Sequence, residues 1–309
     1  MELFRREECV ISTDEIDLKD IYFFNSNDYY SIHKSKNTLR LNFNYSSKLI
    51  ATISLHIEDV NLKSPIKASF GGFQFISNSS VGEIEKIIDI FHSYVSLVLG
   101  VKSIILTMPP LFYCYQESKI SNILLKKNYC ISNNELNHFL RIDSCEMLFE
   151  KMNKTCKKKF KKLSNLDLSF KESSSIENSY NLLKNNRLRR GVNISMTFNQ
   201  LNEMKIKFSD KFFVFDLLLK GKLIASSVCI SVNNQVLYVF YWGHDEKFDN
   251  ISPIVFLSEK IFQFAKEKQY KILDIGTSSI NGLIDIGLKK FKDSIGFSNK
   301  LKLTFKKEL

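Results

Sequence analysis

One order of elements occurs twice in this chain, and it limits the fold more than any single motif does. Residues 47–57, SKLIATISLHI, align with residues 221–231, GKLIASSVCIS. Residues 67–75, KASFGGFQF, then stand where residues 235–243, QVLYVFYWG, stand later. The helical pattern of 83–99 matches that of 252–268, and VKSIILTMPP (101–110) matches YKILDIGTSS (270–279). ISNILLKKNYC (120–130) parallels GLIDIGLKKFKDSIG (282–296), with a last strand after each, near 139–142 and 301–305. Periods of two and of 3.6 alternate in the order β-β-β-α-β-α-β in each half. Chains of βαβ type resemble one another in general, but the shared KLIA phrase and the common order favour a true repeat. The expectation is an α/β (α+β) chain of two tandem units, residues 1–145 and 146–309. Each would be a mixed twisted sheet flanked by helices, the two packed side by side.

With 309 residues and 44% hydrophobic content, two such cores can form without metal or disulfides. The six cysteines, Cys9, Cys114, Cys130, Cys145, Cys156 and Cys229, show no C-x-x-C pair, so neither zinc nor a disulfide framework is expected. The charged start, MELFRREECV, lacks the apolar centre of a signal peptide, and no apolar run approaches the ~18 residues of a membrane span. These features fit the cytoplasm. The net charge of +11 suits a nucleic acid, a phosphorylated small molecule or an acidic membrane surface. Lysine spread by an AT-rich composition is the plain alternative.

Candidate site residues gather in the second half. Residues 270–297 read as a buried strand, a polar turn at Gly276, Thr277, Ser278 and Ser279, and a helix with Lys289, Lys290 and Lys292 outward. Ligands of α/β sheets sit at such strand ends. His244 follows the preceding strand and is a candidate general base or an ordinary surface histidine. Tyr241 and Trp242 beside it line a substrate groove or pack between strand and helix. Asp274, in an apolar strand, orients an amine or bonds a neighbouring backbone. No Ser-His-Asp or Cys-His order suggests a covalent intermediate, so direct transfer is expected.

Three further stretches stand out. Gly71 and Gly72, beside Phe73, mark a bend or a close backbone approach in the first half, where Pro109 and Pro110 close the next strand. Phe149, Met152, Cys156, Phe160 and Leu163 form one stripe of a basic helix in residues 146–164, the bridge between the halves, with five lysines at 157–159, 161 and 162. Those lysines either meet phosphates or form a solvated face. Ser173, Ser174 and Ser175 cap the next helix, which ends at Arg187, Arg189 and Arg190 beside Gly191. The arginines grip a phosphate or neutralise the helix C-terminus.

This doubled order, joined by a basic helix, resembles the tandem GNAT-fold acyltransferases of the Fem type. KMNKTCKKKFKKL, RRGVNISMTFNQLNEM, YVFYWGHDEKFDNISPIVFL and ILDIGTSSINGLIDIGLKKFKDSIGF carry the resemblance, and SPIKASFGGF adds to it. Asp274, Gly276, Gly287, Leu288, Phe291, Lys292 and Gly296 match the family's strand-end and helix pattern. The resemblance implies an acyltransferase acting on an amine of a phosphate-bearing cell-envelope or nucleotide-sugar precursor. The second unit would be catalytic and the first degenerate. Catalysis falls to His244, Asp274 and Tyr241, and substrate contacts to Phe73, Trp242, Thr277, Ser278, Arg187, Arg190, Lys289 and Lys292. Ser252, at a helix start, is the cofactor contact. The donor implied is acyl-CoA or aminoacyl-tRNA, without metal; tRNA and a membrane surface are the further partners. The family's glycine-rich pyrophosphate loop is missing, since residues 244–254 contain no glycine, and the first half's counterpart, from Ser77, has Gly82 alone. That loss also admits a non-catalytic module that binds nucleic acid or a protein through its basic helix.

Overall fold

The computed structural model describes all residues except 1, 7–8, 15–20, 46, 77, 114–115 and 174. Ser77, Cys114 and Ser174 therefore lie outside the described residues. The chain forms two compact units, Met1–Glu135 with Lys300–Leu309, and Leu136–Asn299.

In the first unit the elements are β1 (Glu2–Arg6), β2 (Cys9–Ser12), α1 (Asn27–His33), β3 (Thr38–Tyr45), β4 (Lys48–Glu58), β5 (Asn61–Ser64), β6 (Gln74–Phe75), α2 (Val81–Tyr94), β7 (Ser103–Thr107) and α3 (Gln116–Lys126). β5 and β7 are parallel, from Asn61 opposite Ser103 to Ser64 opposite Leu106, and the neighbouring strands are antiparallel. Leu41, Phe43, Ile53 and Leu55 alternate onto one face and pack with Ile84, Ile88 and Phe91 of α2. A capping box at Ser80 and Glu83 starts that helix.

The strand expected over 67–75 is only Gln74–Phe75, paired with β4, and β5 takes the place beside β7. Residues 65–73 loop out between them. Gly71 N–H donates to Thr107 O at 2.8 Å, and Gly72 N–H to Ser64 Oγ at 2.8 Å. A Cβ on Gly72, whose φ is +78°, would lie 2.3 Å from Met108 Sδ. The paired glycines thus serve a close backbone approach that fills the end of the β5–β7 pair. Phe73 is 1% exposed within the apolar core against Phe91. Its burial there corrects the expectation of a substrate contact.

The second unit takes up β8 (Cys130–Arg141) from Leu136 onward. It continues with α4 (Leu148–Lys151), α5 (Lys154–Ser164), β9 (Leu168–Glu172), α6 (Glu177–Arg189), α7 (Phe198–Lys207), β10 (Phe212–Leu219), β11 (Lys222–Ser231), β12 (Val236–His244), α8 (Ile254–Glu267), β13 (Ile272–Thr277), β14 (Ser279–Ile280), β15 (Leu283–Ile284) and α9 (Ile286–Ser294). Its sheet runs β8-β13-β12-β11-β10-β9, with β12 and β13 as the parallel pair. This repeats the plan of the first unit. α8, apolar on most sides, fills the core through Val255, Leu257, Ile261, Phe262 and Ala265.

Two placements differ from the sequence reading. The last strand, β16 (Ser298–Glu308), pairs with β7 from Thr304 opposite Thr107, inside the first unit. Residues 136–141 of β8 pair with β13 in the second. The two final strands are therefore exchanged relative to chain order. The basic helix α5 belongs wholly to the second unit, where Phe160 stacks on Phe256 at 5.4 Å. No helix among the described residues is long and apolar enough to cross a membrane.

Candidate active site

β12 and β13 pair only from Val236 opposite Ile272 to Tyr238 opposite Asp274. Past that point β12 continues to His244 with β11 alone, through a bulge that brings Val239 rather than Phe240 opposite Cys229. β13 stays with β8, its partner on the other side from Ile272 onward, Thr277 standing opposite Asn137. The parting leaves one edge of residues 239–244 without a strand among the described residues.

A cavity of about 460 Å³ lies at that edge. Trp242, Gly243 and His244 of β12 form one wall, Ser252 and Ile254 the start of α8 another, and Gly287, Leu288 and Phe291 of α9 a third. Asn186, Arg189 and Arg190 close it from the end of α6. A second cavity, about 580 Å³, shares Asn186, Arg189 and His244 and extends to Lys222 and Glu246.

His244 Nε2 lies 2.7 Å from Asp249 Oδ1, and Arg189 Nη1 donates to both Asp249 oxygens at 3.0 and 2.8 Å. Burial lowers the His244 pKa, and Asp249 partly restores it. Arg189 and then His244 hold the Asp249 carboxyl below its ordinary value. Asn186 Nδ2 donates to His244 O at 2.8 Å, so β12 ends on a fixed backbone. A Cβ on Gly243 would come within 2.9 Å of Asn186, which accounts for a glycine there. Arg190 Nη2 reaches Asp285 Oδ2 at 3.4 Å. At the start of α8, Lys159 of α5 donates to Ser252 Oγ at 2.7 Å.

Tyr241 and Arg187 lie elsewhere. Tyr241 alternates away from Trp242, its hydroxyl meets Ser195 Oγ, and the Arg187 guanidinium covers its ring at 5.2 Å. Burial raises the Tyr241 pKa and lowers that of Arg187. Trp242 packs edge-on against Phe291.

The end of β13 forms a buried polar network. Asp274, 1% exposed, accepts from Asn137 Nδ2 at 2.7 Å and from Gly276 N–H at 2.7 Å. The bond to Gly276 N–H is one of its two expected roles. Lys292 corrects the outward placement: it is 2% exposed and donates to the carbonyls of Ile275, Gly276 and Thr277 at 2.7, 2.8 and 2.8 Å. It stands four residues after Leu288 and one turn before Ile295, on the inward stripe of α9. Thr277 thus contributes its carbonyl to Lys292. Lys289 does point outward and pairs with Asp293 at 2.6 Å.

His138 was not foreseen, because its partner Ser278 is 140 residues away. His138 Nε2 and Ser278 Oγ are 2.7 Å apart, and Asp293 Oδ1 is 3.7 Å from His138 Nδ1. The order imitates a nucleophilic triad, but His138 and Ser278 are both 0% exposed, and 3.7 Å is too long for a hydrogen bond. The pair is a strut. Burial, then the nearby Lys292 charge, lowers the His138 pKa to about 4. The unfolded chain therefore binds a proton near pH 6.5 that the folded chain accepts only near pH 4, so this group's support for the fold falls with acidification across that window. Proton NMR is expected to show no titration of the His138 ring between pH 5 and 7, and a midpoint above 6 would contradict the buried strut.

No family model matches the chain, and no curated protein matches it. Solved structures do. FemX shares 11% identity with a TM-score of 0.69, over 94% of this chain and 93% of that one. A tandem GNAT protein from the clavulanic acid biosynthesis pathway shares 7% identity with a TM-score of 0.57, over 94% and 98%. The C-terminal domain of a putative lysylphosphatidylglycerol synthetase from Agrobacterium fabrum shares 12% identity with a TM-score of 0.56, over 82% and 80%. Each unit of this chain has a central parallel pair, and the chain has the Fem-type, tandem GNAT-like fold.

Proposed function

We propose that this protein is an acyltransferase whose second unit moves an acyl or aminoacyl group directly to an amine of a phosphate-bearing, envelope or nucleotide-sugar acceptor. The carrying observation is the parting of β12 from β13 beside the cavity. An acyl carbonyl laid along residues 239–244 would meet backbone donors in a partly dry groove, where hydrogen bonds to a developing oxyanion count most. His244, with Asp249 behind it, is the group placed to take the proton of the attacking amine. Arg190 and Arg189 offer guanidinium groups at the rim for the acceptor's phosphate, in exchange for Asp285 and Asp249. The fold shared with FemX and with the lysylphosphatidylglycerol synthetase domain is in keeping with transfer chemistry. The first unit is read as the degenerate partner, because Gly71 and Gly72 fill the place where the second unit opens.

The donor is read as aminoacyl-tRNA. A coenzyme A pyrophosphate needs free backbone N–H groups at the start of α8. Here Pro253 has no N–H, and the Lys159 ammonium holds Ser252 Oγ. Incubation with aminoacyl-tRNA and with acyl-CoA, each with a panel of amine acceptors, is expected to consume the former. Consumption of acyl-CoA would reverse the donor. Consumption of neither would favour the non-catalytic binding module.

A further inference from the structure

The hairpin of β14 and β15 inverts the usual arrangement of polar and apolar groups. Its turn, Asn281-Gly282, has φ of +51° and +77°, the two-residue turn that these residue types favour. Its base is polar and buried: Ser278 is held by His138, Ser279 Oγ accepts from Leu136 N–H at 3.0 Å, and Asp285 N–H donates to Ser278 O at 2.9 Å. Its tip is apolar and exposed. Ile280 and Leu283 stand opposite each other at 56% and 78% exposure, with Ile284 at 49% and Ile286 at 64%. Single exposed aliphatic residues are ordinary on protein surfaces. Ile280 and Leu283, cross-strand partners on one face of a hairpin with a fixed base, form an apolar patch at its tip, and Ile284 and Ile286 are exposed close by in the chain.

The unit that carries the tip is cationic. Lys289, paired with Asp293, and Lys290 follow on α9, and Arg190 meets Asp285 at the foot of the hairpin. Residues 136–299 carry 26 Lys and Arg against 17 Asp and Glu, so nine of the eleven net positive charges belong to this unit. An apolar tip on a unit of net positive charge matches an anionic lipid surface, which takes aliphatic side chains into the acyl boundary and cations at the headgroups.

We infer that the hairpin is a membrane-docking element that seats the second unit on an anionic bilayer, with Ile280 and Leu283 entering the interface. The connection from the hairpin into α9 carries Asp285, Gly287 and Leu288, which line the candidate cavity. A docked hairpin therefore brings that cavity beside the headgroups, where an amine-bearing, phosphate-bearing amphiphile would be met. This last consequence rests on the proposed transfer reaction; the docking does not, and it is measured without donor or acceptor.

The test is co-sedimentation of the full chain with vesicles of phosphatidylcholine alone and of phosphatidylcholine with about 30% phosphatidylglycerol. The wild type is expected on the anionic vesicles, weakening with salt. The double variant Ile280→Gln, Leu283→Gln is expected to lose at least about tenfold in partition coefficient with an unchanged circular dichroism spectrum, since both side chains already face water. An unbound wild type, or an equally bound double variant, would overturn the inference. So would equal binding to neutral vesicles. A wild type that sediments as a dimer without lipid, and a double variant that is monomeric, would assign the patch to a second copy of the chain instead. Transfer activity on a water-soluble acceptor, kept by the double variant, separates a failed hairpin from a failed enzyme.

Discussion

Replacing Lys292 with methionine is expected to destabilise the protein by about 3 kcal/mol and to lower turnover about a hundredfold or more. The ammonium is 2% exposed and serves three successive carbonyls, those of Ile275, Gly276 and Thr277. A hydrogen bond to a charged group contributes about 1.5–3 kcal/mol, and three from one donor do not add. Loss of the ammonium's own desolvation offsets part of the damage, while the carbonyls left dry add to it. Turnover suffers because this turn fixes the end of β13, the side of the parting opposite β12, and small misplacements at such a site are costly. Urea unfolding followed by circular dichroism checks the first figure, and single-turnover transfer the second. His138 supplies an independent readout: the Lys292 charge helps to lower its pKa, so the variant should move the His138 titration upward from about 4. An unchanged urea midpoint together with an unchanged His138 titration would show that Lys292 does not occupy this buried position.

The other large effect is expected at His244. His244→Gln should reduce kcat/KM by about 10²–10⁴, the range of a lost general base, with little change in stability because the ring is partly open to the cavity. The base works in its neutral form, so activity should fall on acidification through the His244 pKa, which burial places below its ordinary value of 6.5. Asp249 opposes that lowering through its 2.7 Å contact and its charge. Asp249→Asn should therefore move the acid limb of the kcat/KM profile to lower pH, with a smaller loss of rate than His244→Gln. Full activity in His244→Gln, or an acid limb indifferent to Asp249→Asn, would remove histidine from the proton transfer.

The sequence carried the repeat, and with it the fold class, because the order of strands and helices is written in local hydrophobic periods. It also marked Trp242, His244, Ser252 and Arg190, which the fold gathers around one cavity. Asn281-Gly282 is also a local hairpin signal, although the sequence reading carried the polar turn at Gly276–Ser279 straight into the helix. What only the tertiary structure decided depends on partners distant along the chain. Which unit takes each final strand is set by pairing across long separations, Thr304 with Thr107 and Asp274 with Phe139. The inward turn of Lys292 is decided by three carbonyls at the end of β13, against the lysine's preference for water. His138 and Ser278 meet only because β8 lies beside β13. Tyr241 and Trp242 are neighbours in sequence, yet a strand sends alternate side chains to opposite faces, and only Trp242 reaches the cavity. Phe73 entered a core rather than a groove because two glycines let its loop close over the strand ends. Local periodicity is enough to specify elements and their order; the end of a strand becomes a site only when distant segments determine what it faces.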